Sequence, residues 1–396
     1  MAATRRPLIR IPYTDVLASP TVVPASARSL AGAVDALVAF FAAPPPPGLS
    51  SGAVVLSGAG LSVASGLADY RGVNGTYRLN KTYRPIYYAD FVANHEARKR
   101  YWARSFLGWS SLQAASPNAG HHAIGQLGEM GLIRSVITQN VDSLHQRAHP
   151  RLPSLELHGY LRATVCVSCR SEYSRHLFQN HLARLNPRWA DLLNRALASG
   201  ALNTEDLAKR KARGLRFNPD GDVDLPEAPY TTFRYPPCPR CLADPPLGPD
   251  GRPHMVNVDD DGAWAPSSTA GVLKPAVVMF GENIVEPVKR AAEEAIDGAG
   301  KLLVVGTSLA TYSAWRLARR AKERRMPVAI VNMGGVRGES EFFDNLDPLQ
   351  TGEKAVRVEL AIDQVLPALV SVLHKGAIPT SAAAITQQNV FKDMLS

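Results

Sequence analysis

The stretch VVLSGAGLSVASGLADYRG, residues 54–72, decides how the rest of the chain is read. An apolar run enters a glycine turn, small residues follow, and the stretch closes on Asp69-Tyr70-Arg71. A buried strand that feeds such a turn is how an open α/β sheet presents a phosphate-binding loop. Gly58 and Gly60 remove Cβ atoms where a backbone must approach a ligand, and Ser62 is placed to cap a following helix. Val63 stands where a GxGxxG fingerprint carries its third glycine, so the turn departs from the dehydrogenase pattern. A lone GAG also fits a plain strand-to-helix turn.

Two further strand ends strengthen the ligand reading. LLVVGTSLATYS (302–313) offers Gly306, Thr307 and Ser308 as small hydrogen-bonding groups, and AIVNMGG (329–335) adds Asn332, suited to ribose hydroxyls. Three such edges on one sheet suit a dinucleotide. Apolar periodicity predicts a helix over 27–42, ended by PPPPG, a strand over 53–57, and helices over 88–106 and 118–130. A strand follows near 134–138, with another short one in 152–159. The alternation resumes with strand 275–280, helix 285–298, strand 301–305, helix 311–325, strands 327–331 and 355–359, and helix 361–374. Strand–helix alternation with apolar strands predicts a parallel sheet covered on both faces.

The four cysteines form two pairs, Cys166-Val-Ser-Cys169 and Cys238-Pro-Arg-Cys241. Each CxxC puts two thiolates on one tight turn, and two turns complete a tetrahedron, which points to one structural zinc ion. A closed four-thiolate shell leaves no position for water, so metal-assisted hydrolysis is disfavoured. The 68-residue gap between Cys169 and Cys238 is no obstacle, because closure entropy grows slowly with loop length. The predicted fold class is therefore α/β: an open Rossmann-like parallel sheet with helices on both faces, plus a smaller zinc-binding module inserted in the chain. Residues 27–159 and 273–375 form the sheet domain, and 160–272 form the module, read as loops with 242–272 a mostly flexible insertion. Residues 1–26 are an N-terminal extension, and 376–396 are expected to be a disordered tail.

Of the 396 residues, 45% are hydrophobic and 20% charged, which fits a globular chain with a substantial core. No apolar run reaches the ~18 residues that span a bilayer, so no membrane partner is expected. The formal charge of +9 permits attraction to nucleic acid, but the basic residues are scattered, and the densest run, RRAKERR (319–325), includes Glu323 on a predicted helix. It reads as a solvated face, and direct nucleic-acid binding is not expected. Residues 1–14 carry Arg5, Arg6 and Arg10 without an acid. A mitochondrial presequence and an ordinary basic terminus both fit, with Pro7 and Pro12 weakening the helix a presequence needs.

In TQNVD (138–142), Gln139, Asn140 and Asp142 place two amides and a carboxylate at a strand end, where a carboxamide or sugar would satisfy them; a polar turn is the plain alternative. His158 follows an apolar strand and precedes Gly159, a setting for a general base or for a histidine that merely closes a strand.

Taken in order, GAGLSVASGLADYRG, TQNVD, LHG, the paired CxxC, KPAVVMFGE, GTS and VNMG resemble the sirtuins, the NAD-dependent protein deacylases, from about residue 27 to 375. YWARSFLGW (101–109), LNPRW (185–189) and PDGDV (219–223) resemble the mitochondrial class II type, the lipoamidase and ADP-ribosyltransferase group. The resemblance implies that NAD is consumed as co-substrate, and that acyl-lysine proteins are the partners. It also implies the mitochondrial matrix, with cytoplasm or nucleus as alternatives. On the same resemblance the 58–72 loop binds NAD, with Ala59 and Gly60 at its phosphates, Tyr70 over the reactive ribose carbon and Arg71 as the loop arginine. Ser65, Asp69, Tyr77, Met333, Gly334 and Ile362 are likewise assigned to the cofactor.

The implied reaction has the acyl oxygen attack the anomeric carbon as nicotinamide leaves. His158 then acts as base on the ribose hydroxyls, and free lysine and O-acyl-ADP-ribose remain. Gln139 and Asn140 hold ribose and water, Val141 and Asp142 bind the carboxamide, and Val278, Met279, Phe280, Gly281 and Glu282 pair with substrate peptide as an added strand. Tyr101 and Arg104 share a helix face, the spacing with which desuccinylase-type sirtuins bind an acidic acyl group; a structural salt bridge is the competing role for Arg104.

Leu67 and Ala68 depart from the family's Ile-Pro before the loop aspartate, and Ala68 should loosen the loop. The 242–272 insertion could cover or extend the substrate cleft. Protein mono-ADP-ribosylation on the same site and a non-catalytic zinc- and NAD-binding chromatin module remain as alternatives. A hydride-transferring dehydrogenase is disfavoured by Val63 and by the lack of an acidic residue after a second strand.

Overall fold

The structure is a computed structural model that describes residues 11–13, 15–81, 83–200, 202, 216–225, 228–343 and 351–375. The expected tail over 376–396 and residues 1–10 of the extension lie outside the described residues.

The apolar strand that feeds the glycine loop lies inside the main sheet, with strands on both sides. In chain order the strands are β1 (Ala53–Ser57), β2 (Ile133–Thr138), β3 (Ser154–Glu156), β4 (Gly159–Cys166), β5 (Glu172–Ser174), β6 (Arg216–Phe217), β7 (Val223–Asp224), β8 (Leu273–Val277), β9 (Lys301–Val305), β10 (Val328–Val331) and β11 (Ala355–Val358). Six of them form a sheet in the order β11-β10-β9-β1-β2-β3, and every pairing within it is parallel. All five residues of β1 are buried, as a strand covered on both faces requires. Val55 faces the core built with helices Leu30–Ala42, Ala119–Glu129 and Ile362–Lys375. Val54 and Leu56 face the opposite core, with helices Glu286–Asp297 and Tyr312–Glu323. Strand order reverses between β1 and β9, which opens a crevice beyond their carboxyl ends.

Three expectations need correction. The helix predicted over 88–106 is two helices, Tyr88–Ala93 and His95–Ala114. Asn94 between them is extended, and its side-chain oxygen accepts from the amides of Glu96 (2.8 Å) and Ala97 (3.2 Å), so it caps the second helix. The predicted strand over 275–280 is β8, and it does not join the parallel sheet. It pairs antiparallel with β4, and β5-β4-β8 is a separate three-stranded sheet.

The region read as loops contains helices Arg175–Leu185 and Pro187–Ala198, which bury Phe178, Leu182, Trp189 and Leu193 in a third, aromatic-rich core. Nor is 242–272 loose. Trp264 stacks on Tyr235 (5.9 Å between rings), its amide donates to the Tyr235 carbonyl, and Arg234 ion-pairs with Asp259 and Asp261. No residue of this segment lines the main cleft, so it neither covers nor extends it.

The N-terminal segment packs on the sheet domain. Val23 bridges Arg357 of β11, and the Ala18 carbonyl lies where a Cβ on Gly335 would be (2.0 Å). The Ile11 amide donates to the Ala310 carbonyl.

Candidate active site

The cleft lies where β1, β2, β9 and β10 end, as an open α/β sheet requires. It brings together the loop after β1, the Gln139–Asp142 segment, His158, the turn after β9, Asn332 and the segment after β8.

The two glycine turns are built against one another. The Gly60 amide donates to the Gly306 carbonyl (2.8 Å). A Cβ on Gly60 would sit 2.9 Å from that oxygen, and one on Gly306, whose φ is +61°, would sit 2.3 Å from the Leu61 nitrogen. The close approach that needs glycine is therefore between the two loops. Ser62 does not cap a helix: it lies inside a short 3₁₀ turn, Ala59–Ser65. Its hydroxyl donates to Asp142 (2.7 Å) and accepts from the Asn140 amide (3.0 Å).

The amides of the 139–142 segment serve the frame as well. Gln139 Nε2 donates to Thr307 Oγ1 (2.8 Å) and to the Ser57 carbonyl, while its Oε1 accepts from Thr311 (3.2 Å). Asn140 Nδ2 also donates to the Gly58 carbonyl (3.1 Å). Asp142 accepts from the Leu144 amide (2.9 Å), and burial raises its proton affinity. Val141 lines the cleft beside them, and its carbonyl accepts from the Leu161 amide.

His158 sits in the cleft wall between β3 and β4. Its Nδ1 is 3.2 Å from the Gln139 carbonyl, which can only accept, so Nδ1 carries the proton. Nε2 is then the basic nitrogen, 2.9 Å from the Ser313 hydroxyl. Burial pushes the imidazole down to about 4, against the pull of the Gln139 carbonyl, so the ring is neutral at neutral pH. Ser313 and Thr311 were not singled out from sequence; their position one turn beyond Gly306 was the available signal.

On the loop, Asp69 accepts from the Gly72 amide (3.1 Å) and closes its own turn. Ser65 accepts from Asn118 (2.9 Å). Tyr70 donates to Asp220, and its ring lies 5.4 Å from Tyr77 and 6.4 Å from Phe280. The Arg71 guanidinium binds the carbonyls of Ile11 (2.8 Å), Pro12 (3.0 Å) and Asp15 (3.2 Å), so in this structure it holds the N-terminal segment at the cleft mouth. Tyr13 of that segment stacks on Tyr77 (4.5 Å).

At the β10 end, Asn332 folds back onto the carbonyls of Met333 and Gly334, and the Gly334 amide donates to Glu359. Ser308 lines the cleft, and Ile362 is buried against Gly306.

Beyond β8, the Val278 amide donates to the His158 carbonyl (2.8 Å) and the Phe280 carbonyl accepts from Tyr88 (2.9 Å). The Met279 amide is capped by Glu282 (2.9 Å), and Gly281 adopts φ +83°. Tyr101 and Arg104 line one end of the cleft, but Arg104 is not open to an acid. It forms a buried ion pair with Asp222 (2.7 Å), with Asp224 at 3.8 Å. A structural salt bridge is the role that the sequence sets against acid binding for this residue.

The four cysteine sulfurs lie within 4.8 Å of one another, with Cys166–Cys241 at 3.5 Å and Cys169–Cys238 at 3.7 Å. Tetrahedral zinc with Zn–S of about 2.3 Å sets sulfurs about 3.8 Å apart, so the residues fit a structural zinc ion.

The Sir2 family profile matches residues 58–313. An NAD-dependent protein deacylase SIR4 of Batrachochytrium dendrobatidis is 41% identical over 78% of this chain and 88% of its own length. An NAD-dependent protein deacylase Sirt4 of Drosophila melanogaster is 32% identical over 72% and 76%. A solved structure described as the structural basis for the mechanism and regulation of Sir2 enzymes shares the fold, with TM-score 0.51 and 24% identity over 87% of this chain and 98% of that one. With the profile matching well over half of the chain and such relatives covering about three quarters of it, this protein belongs to the Sir2 family.

Proposed function

We propose that the protein is an NAD-dependent protein-lysine deacylase that transfers the acyl group to ADP-ribose and releases nicotinamide. The observation that carries this reading is His158 in the cleft wall, its Nδ1 held against the Gln139 carbonyl so that Nε2 is left as the base. The names of its relatives support it. NAD, when bound, supplies the glycosidic carbon that the acyl oxygen attacks.

The chain's own residues do the rest. Gln139 and Asn140 hold the β1 and β2 ends rigid, and the glycine turns keep the two loops in register. Ser313 shares the Nε2 lone pair until a ribose hydroxyl takes its place. The rings of Tyr70, Tyr77 and Phe280 cluster in the cleft wall as an apolar surface. Substrate peptide lies along Val278–Glu282 as an added strand.

Arg104 is already neutralised by Asp222, which favours long uncharged acyl groups of the lipoyl type. Transfer of ADP-ribose to protein is the alternative use of the same site. The acid-free basic run over 1–14 supports a mitochondrial location, which uptake by isolated mitochondria tests. Nicotinamide release with and without a lipoyl-lysine peptide tests the central reading, with His158→Tyr as blank. Peptide-dependent release is expected, and release equal in wild type and blank would refute it.

A further inference from the structure

The hairpin of β6 and β7 carries an acid that no step above uses. Its turn is stiff: Asn218 Nδ2 donates to Asp222 (2.6 Å), the Asn218 amide donates to the Asp222 carbonyl, and Gly221 adopts φ +66°. It is also clamped to the helix His95–Ala114. A Cβ on Gly108 would meet the Gly221 carbonyl at 2.2 Å, and Arg104 of that helix ion-pairs with Asp222. From this platform Asp220 points into the cleft, where it accepts a hydrogen bond from the Tyr70 hydroxyl. Tyr83 lies beside it and helps hold its proton affinity down.

Among the described residues Asp220 has no ion-pair partner, because Arg104 is taken by Asp222. A carboxylate removed from water without a cation is costly, and the hydrogen bond it accepts here comes from the Tyr70 hydroxyl. A charged acceptor strengthens such a bond, so the arrangement fixes Tyr70 firmly. Tyr70 belongs to the cofactor loop, while Tyr101, Arg104 and Asp222, which also bound the cleft, lie beside Asp220.

We propose that Asp220 is a positioning residue for NAD: through Tyr70 it holds the cofactor loop closed against the acyl end of the cleft. This rests on the deacylase reading only for the ligand's identity. The groups around it explain how it responds to pH. Burial, then the charge of Asp222, raises Asp220 to about 6, opposed by Tyr70, Arg104 and Tyr83. Above that pH the ionised acid is a strong acceptor. Below it the protonated acid holds Tyr70 more weakly, so the loop loosens as pH falls through about 6.

The test is a double-mutant cycle on NAD affinity, read by calorimetry from pH 5.5 to 8 on Asp220→Asn, Tyr70→Phe and the double variant. Each single change is expected to weaken binding about threefold to tenfold at pH 7.5, the scale of one hydrogen bond. The double change is expected to weaken it no further, and the inflection near pH 6 is expected to vanish in all three. Losses that multiply, or an inflection that survives in Asp220→Asn, overturn the proposal. If Asp220→Asn fails to fold, Tyr70→Phe against wild type still decides through the inflection. A coupled cycle in a protein that releases no nicotinamide supports this inference while refuting the deacylase reading.

Discussion

Arg104 shows what a single partner does to a motif. The Tyr-x-x-Arg spacing puts Tyr101 and Arg104 on one helix face, and that much is visible in the sequence. Asp222, far along the chain, is what neutralises the guanidinium, and no local pattern announces that contact. Arg104→Met should therefore lower activity on acetyl and glutaryl peptides to the same degree. It should also destabilise the fold by about 3–5 kcal/mol, because Asp222 is left buried without its cation. Parallel rate assays and thermal melts check this; a loss confined to the glutaryl peptide would restore an acid-binding role. His158 was legible for the opposite reason. Its setting, a strand end before a glycine, is local, and the structure adds the Gln139 carbonyl at Nδ1 and the Ser313 hydroxyl at Nε2.

Among the elements, β1, β9 and β10 of the parallel sheet were readable because fully buried strands are largely continuous apolar runs. The glycine turns were readable as turns, but not as partners of each other. Gly306→Ala places a Cβ 2.3 Å from the Leu61 nitrogen at a positive φ, so it should cost roughly 2 kcal/mol or more and weaken NAD binding together with stability. Denaturant melts and calorimetry decide; an unchanged midpoint would show the two loops to be loosely coupled.

The module over 160–272 was misread because proline and glycine at its edges outweighed the apolar spacing of Phe178-Leu182 and Trp189-Leu193. The cysteines tie that module together, since Cys166, Cys238 and Cys241 are buried in its core. Removing zinc with a strong chelator should therefore unfold the module and lower the melting temperature, with Cys238→Ser doing the same. Unaltered circular dichroism in metal-free protein would contradict a structural metal.

For the whole molecule, a buried histidine cluster behind the cofactor loop links stability to pH. Ser57 at the end of β1 bonds His145 (2.8 Å), His145 bonds His149 (2.9 Å), and His121 packs against His145. Burial, then neighbouring histidines, pushes His121 down to about 3 and lowers His145 as well. Burial also lowers His149. The unfolded chain takes up these protons near pH 6.5 and the folded chain does not, so stability present above pH 6.5 is lost as pH falls toward the folded values.

His121 alone accounts for on the order of 2 kcal/mol between neutrality and pH 5. Buried acids such as Asp142 and Glu156, whose proton affinity is raised, act with the opposite sign. The diagnostic is therefore a difference between proteins: His121→Asn should shrink the drop in melting temperature between pH 7 and pH 5, and an identical drop in both would refute the cluster's role.

The central claim is that this sheet edge exposes the glycosidic bond of NAD to an acylated lysine beside His158. Mass spectrometry of the products formed from NAD and a lipoyl-lysine peptide tests it most directly. Free-lysine peptide together with ADP-ribose heavier by one lipoyl group is expected, and neither product from His158→Tyr. ADP-ribose attached to intact acyl peptide, or NAD returned unchanged, would contradict it.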